Sequence, residues 1–166
     1  MVQEKEFIHL INQHQNIVHK VCSVYMDFMQ DREDLFQEIT LQAWKSFHSF
    51  KGESKFSTWL YRVALNTAIT FFKKDKKKND FFQSSEFPEI IDQSTTDIEL
   101  QVKAMYAAIG ELSKIDKALV MLYLEDYDYN AIGEMLGLTA NNVAVKMNRI
   151  KVKLKENTQK HYQLSS

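Results

Sequence analysis

Only one proline and four glycines occur in the 166 residues of this chain. Hairpins and tight loops draw on both, so a sheet-rich fold is a poor expectation and long helices a good one. The single cysteine, Cys22, cannot form an internal disulfide and is a thin start for a metal site. It fits a reducing, cytosolic setting. No apolar run approaches the roughly 20 residues of a membrane span. The N-terminal "MVQEKEFIHL" lacks a basic segment leading into an apolar one, so no signal peptide is expected. Excess charge is absent too: 21 Lys and Arg face 22 Asp and Glu, a formal net charge of −1.

What is present is a hydrophobic fraction of 45%, enough for a packed core and too much for a disordered chain. His9, His14 and His19 recur every five residues, which rotates successive ones by about 140° on a helix. They share no face, and neither a metal nor another cofactor is expected. These are read as surface or half-buried side chains.

Residues 1 to about 27 carry Phe7, Ile8, Ile11, Val18, Val21 and Tyr25 at helical spacing. "DREDLFQEITLQAWKSFHSF" then offers Asp31 and Asp34 as a helix start. Leu35, Ile39, Ala43 and Phe47 form its stripe, flanked by Phe36 and Trp44. Gly52 ends that segment in the polar loop "FKGESKF". A third helix is expected from about Ser57 to Lys77. Leu60, Val63, Ala64, Thr67, Ala68 and Phe71 make its inner face, and Arg62, Asn66, Lys73 and Lys77 lie on another. Residues 81–96 hold Pro88, several Ser and Thr, acids and no base, and so read as an acidic linker between domains 1–80 and 97–160.

Helices resume near Asp97. Thr96 with Glu99 and Ser113 with Asp116 have the spacing of helix starts. Near the C-terminus, a short apolar face (Ala131, Ile132, Met135, Leu136) precedes Gly137. Gly137 allows a sharp turn, and Thr139 can cap the helix that follows. Val143, Met147, Ile150 and Leu154 make that helix's buried stripe. The fold class is therefore all-α, with two small helical domains joined by a linker and a helix-turn-helix in the second.

Three constellations carry chemistry. Lys146, Arg149, Lys151, Lys153 and Lys155 crowd into ten positions of a near-neutral chain. In a helix-turn-helix the N-terminal residues of the second helix meet base edges in the major groove. Here they are Thr139, Asn141, Asn142, Lys146 and Arg149. Asn suits adenine, and Lys or Arg suits guanine. Lys153 and its neighbours lie farther along, toward phosphates. The bland alternative is a solvated terminal helix whose lysines suit the helix dipole. The second constellation, "DLFQE", projects Asp34, Gln37 and Glu38 at i, i+3 and i+4 from one face. That face suits a basic protein partner or plain solvent. Catalysis by the two carboxylates would need a closed pocket and a raised pKa, which an exposed helix does not supply. The third, "FKGESKFSTWLYRVALNTAITFFKKDKKK", joins a polar loop to Trp59, Tyr61 and a basic helix. Aromatics among bases suit unstacked nucleotides. A core place for Phe56 and Trp59 is the competing reading, since Trp is usually well buried.

In this order, the three constellations resemble the extracytoplasmic-function group of bacterial RNA polymerase sigma factors. "DLFQE" followed by "F.G.S.F.TWLYR.A.N.A" is the most specific part, and the likeness spans roughly residues 5–156. It implies a non-enzymatic transcription factor with core RNA polymerase and promoter DNA as partners. Asp34, Gln37 and Glu38 would dock on the clamp coiled coil of the polymerase. Lys51, Ser54, Lys55, Arg62, Asn66 and Lys73 would engage the minus-ten element, where the family captures a flipped non-template base. Thr139, Asn141, Asn142, Lys146, Arg149 and Lys153 would read the minus-thirty-five element while their domain sits on the polymerase flap. An anti-sigma protein is a further partner the resemblance allows. The chain has Asn141-Asn142-Val143 where the family often has Gly-Thr-Val. Two rival classes remain: a stand-alone helix-turn-helix regulator, and a helical adaptor that binds only protein.

Overall fold

A computed structural model describes residues 2–71 and 96–165. Among them lie eight α-helices: α1 Val2–Gln13, α2 Gln15–Tyr25, α3 Met29–Ser46, α4 Phe56–Thr70, α5 Asp97–Gly110, α6 Lys114–Leu124, α7 Tyr129–Leu136 and α8 Ala140–Ser165. A 3₁₀ turn, Phe47–Ser49, follows α3. None of the described helices is long and apolar enough to cross a membrane.

The apolar stripes place these helices. Val18, Val21, Leu35, Ile39, Leu60 and Ala64 are buried where α2, α3 and α4 meet. Val143, Met147 and Ile150 bury the inner stripe of α8, which packs along α5 and against α6 and α7. Aromatic rings close the first half. Phe47, Phe50, Phe56 and Trp59 form a cluster with centroids 5.4–6.4 Å apart.

The N-terminal segment is two helices rather than one. The chain breaks at His14, whose ring nitrogen Nδ1 lies 2.8 Å from the Leu10 carbonyl and whose ring packs against Phe56 at 5.1 Å. α3 begins at Met29, two residues before Asp31, with no side-chain cap at Phe28. α4 stops at Thr70, with Phe71 extended. The Thr70 hydroxyl lies against the carbonyls of Asn66 and Thr67, and the Lys114 amine donates to the Phe71 carbonyl at 3.1 Å. The Thr67 and Phe71 carbonyls, in and just beyond the last turn of α4, thus gain side-chain donors. The expected helical residues beyond Phe71 and most of the acidic linker lie outside the described residues.

The capped starts of the second half follow the sequence. Thr96 accepts from the Glu99 amide, Ser113 from Asp116, and Thr139 from Asn142, at 3.1–3.2 Å. Asp128 caps α7 in the same way, accepting from Ala131 at 2.8 Å.

Candidate functional site

α3 divides its polar residues between two surfaces. Asp34 and Gln37 are exposed and Glu38 is half-buried. Gln37 lines a groove between α1 and α3 with Phe7, Ile8, Phe36, Leu41 and Trp44. Ile8, Leu41 and Trp44 are large apolar side chains left exposed there, so the groove sets an apolar floor beside a polar rim. Glu38 turns the other way. It accepts a 2.9 Å hydrogen bond from the Gln42 amide, and both line a cleft of about 780 Å³ against α4.

That cleft gathers side chains from three stretches of sequence. α3 supplies Glu38 and Gln42, the loop supplies Lys51, Glu53 and Ser54, and α4 supplies Trp59, Arg62 and Asn66. Lys51, Ser54, Arg62 and Asn66 are therefore neighbours, as their sequence grouping anticipates. Lys55 is exposed at the start of α4 but does not line the cleft, and Lys73 lies outside the described residues. Gln42 is a residue the sequence reading missed. Its signal was its place one turn after Glu38 on the same helix.

Trp59 reconciles two competing expectations. It is half-buried and packed on the core, yet it also forms part of the cleft wall. The loop before it turns at Gly52, which has φ +74, a region where glycine carries no Cβ penalty. The result is an aromatic wall, two amides, a guanidinium and carboxylates around a space sized for a small organic group. An unstacked base could lie against the aromatic and bond its edge to the amides.

The third surface is the exposed side of α8. Asn141, Asn142, Arg149 and Lys153 are exposed, and Lys146 is half-buried. They share the helix whose opposite stripe is buried. Thr139 is exposed but its hydroxyl oxygen holds the cap with Asn142, so its first role is structural. Lys151 is drawn sideways over the Tyr123 ring, 4.8 Å from its centroid. The turn itself is tightly built. Gly137 has φ +73, and the Leu138 amide donates to the Gly133 carbonyl at 2.8 Å.

Comparison with known proteins fits this geometry. The family model for sigma-70 region 2 matches residues 10–78, which include the groove and cleft residues from Leu10 onward. The model for sigma-70 region 4 matches residues 103–154, which include the helix-turn-helix. The ECF RNA polymerase sigma factor SigW of Bacillus subtilis is 23% identical over 158 residues, covering 86% of this chain and 83% of that protein. The RNA polymerase sigma factor YlaC of the same organism is 28% identical over 142 residues, covering 80% of each. Among solved structures, the sigma factor RpoE of Bartonella quintana, in complex with the anti-sigma factor NepR, superposes with a TM-score of 0.65 at 18% identity. That match covers 93% of this chain and 98% of the other. With both regions matched in order and sigma factors aligning along most of its length, the chain belongs to the extracytoplasmic-function group of sigma-70 RNA polymerase sigma factors.

Proposed function

We propose that the chain directs core RNA polymerase to its promoters through three separate surfaces, each with its own partner. The exposed end of α3, with Asp34 and Gln37 beside the apolar groove, takes the polymerase clamp. The cleft between α3 and α4 takes an unstacked base of the minus-ten element, with Trp59 as the stacking wall and Asn66, Gln42 and Arg62 as edge and phosphate contacts. Lys51, Ser54 and Lys55 guide the strand toward it. The outer face of α8 takes the minus-thirty-five duplex. Glu38, by its place beside Gln42, serves the cleft more readily than the clamp. The protein acts by binding rather than catalysis, in the cytoplasm where polymerase and promoters meet. Its relative RpoE is held by an anti-sigma factor, and a comparable partner is proposed for this chain.

The observation that carries this reading is the cleft, which joins residues from α3, the loop and α4 around one aromatic wall. Run-off transcription with purified core polymerase on fragmented genomic DNA tests it. The wild-type chain should yield discrete starts. Asp34→Arg should lose polymerase binding in a pull-down while keeping its helical spectrum. Asn66→Ala should keep polymerase binding and lose permanganate-sensitive opening. A chain that footprints DNA without polymerase and yields no starts would instead be a stand-alone regulator.

A further inference from the structure

α8 turns a branched apolar side chain outward among polar ones. Val145 lies in its second turn and is 43% exposed, whereas Val143 is wholly buried. Residues three and four apart are neighbours on a helix surface. Those neighbours of Val145 are Asn141, Asn142, Asn148 and Arg149, all of them exposed. The valine is thus ringed by three amides and a guanidinium, on the side of α8 opposite the buried stripe of Val143, Met147 and Ile150.

Helix stability gives no reason for this arrangement. A branched side chain is stiff in a helix, and Ala, Lys or Glu would favour the helix more. Lone exposed apolar residues are common, but the place of this one is informative. Asn141, Val145 and Arg149 follow each other at four-residue steps along one ridge. Each step is about 6 Å along the axis, close to two base-pair steps of about 3.4 Å each. A helix lying along the groove then sets Val145 against a base pair between those met by the amide and the guanidinium. The apolar feature that a base pair offers in the major groove is the thymine C5 methyl.

We propose that Val145 is a specificity residue that reads the C5 methyl of one thymine in the minus-thirty-five element, with Asn141 and Arg149 bonding to base edges on either side. This rests on reading the outer face of α8 as the minus-thirty-five surface. The contact works by dehydration, since two apolar groups leave water together. A purine at that place would instead lose water from its polar edge and gain no hydrogen bond from the valine, which is costly. No phosphate is neutralised, so the contact adds discrimination and leaves the salt dependence alone.

Deoxyuridine in place of thymine deletes this methyl and keeps every hydrogen-bonding group of the base. Core polymerase carrying the full chain is titrated onto a promoter located by run-off transcription, with each upstream thymine of either strand exchanged singly and binding read by fluorescence anisotropy. With the wild-type chain, one position should stand out with a loss of about fourfold in affinity, as expected for one buried methyl. Val145→Ala, which empties no core, should weaken the all-thymine promoter by a similar factor and become indifferent to deoxyuridine at that position. Val152, 60% exposed, lies about two turns farther along the same side, beyond the N-terminal part that enters the groove. Val152→Ala should keep the wild-type profile. A wild-type chain with no sensitive thymine would overturn the proposal. So would a sensitive thymine that Val145→Ala leaves sensitive, or a profile that Val152→Ala flattens equally. Scrambling the upstream element while keeping the minus-ten region tests the underlying reading. Indifference to scrambling would remove the minus-thirty-five surface and this proposal with it. Loss on scrambling with a flat deoxyuridine profile would indict Val145 alone.

Discussion

Burial gives Cys22 and Tyr61 parts that the sequence did not assign to them. Cys22 is 2% exposed. Desolvation pushes its thiol up to about 11 from 9.0, with the nearby Arg32 charge offsetting part of the rise. At pH 8 a thiol so raised is almost wholly protonated, and the thiolate is the nucleophile. Iodoacetamide should therefore modify the native chain far more slowly than the urea-unfolded one, read by mass spectrometry. Fast native labelling would mean that Cys22 is reached by local opening. The sign for stability follows. The folded state holds the thiol proton more tightly, so this contribution is intact below pH 9 and is lost as pH climbs from 9 toward 11. Tyr25 and Tyr61 act in the same direction, since desolvation is the largest cause raising each phenol above its ordinary value. Stability against urea should thus fall as pH rises above 9.

At the scale of elements, the sequence was legible wherever a local rule sufficed. Thr96, Ser113 and Thr139 cap the helices they were expected to cap, because capping needs only a hydroxyl and an amide three residues on. The 4-3-4 spacing of Val143, Met147, Ile150 and Leu154 named the buried side of α8. What stayed hidden depended on distant partners. Tyr61 was grouped with Trp59 among the aromatics beside a basic helix, yet it is buried together with Leu65 on a helix met by α6 and α7 as well as α2 and α3. The division of Gln37 and Glu38 between groove and cleft likewise needed α1 and α4 in place. Gly133 is a sharper case. Its neighbour in the turn, Gly137, was legible from the punctuation of the sequence, but the role of Gly133 was not. A Cβ at Gly133 would sit 2.4 Å from the Leu138 carbonyl oxygen, a backbone atom that cannot swing aside. Gly133→Ala should force α7 from the turn and cost about 1–3 kcal/mol, the usual penalty of overpacking. Urea unfolding measures it, and duplex binding by α8 should fall in parallel. A variant as stable as wild type would mean that the turn adapts more freely than its hydrogen bonds suggest.

The whole molecule is nearly neutral, so its DNA affinity must come from where its charges sit rather than how many it has. The basic face of α8 stands opposite a buried stripe, and acids are spread over other surfaces, Asp34 among them. Long-range attraction to a polyanion is then weak, while contact attraction at α8 is local. Counterion release converts this into a measurable slope. If Lys153 and Lys155, both exposed, each neutralise one phosphate, the logarithm of duplex affinity should fall against the logarithm of salt with a slope of about −1.8. Lys153→Gln should reduce that slope by about 0.9 and weaken all duplexes alike, because a phosphate contact carries no sequence information. Asn142→Ala should leave the slope unchanged and narrow the gap between promoter and random duplex, because an amide reads base edges. Fluorescence anisotropy across a salt series separates the two. A slope that Lys153→Gln leaves untouched would place the DNA on another face of α8 and return its lysines to the role of a solvated helix end.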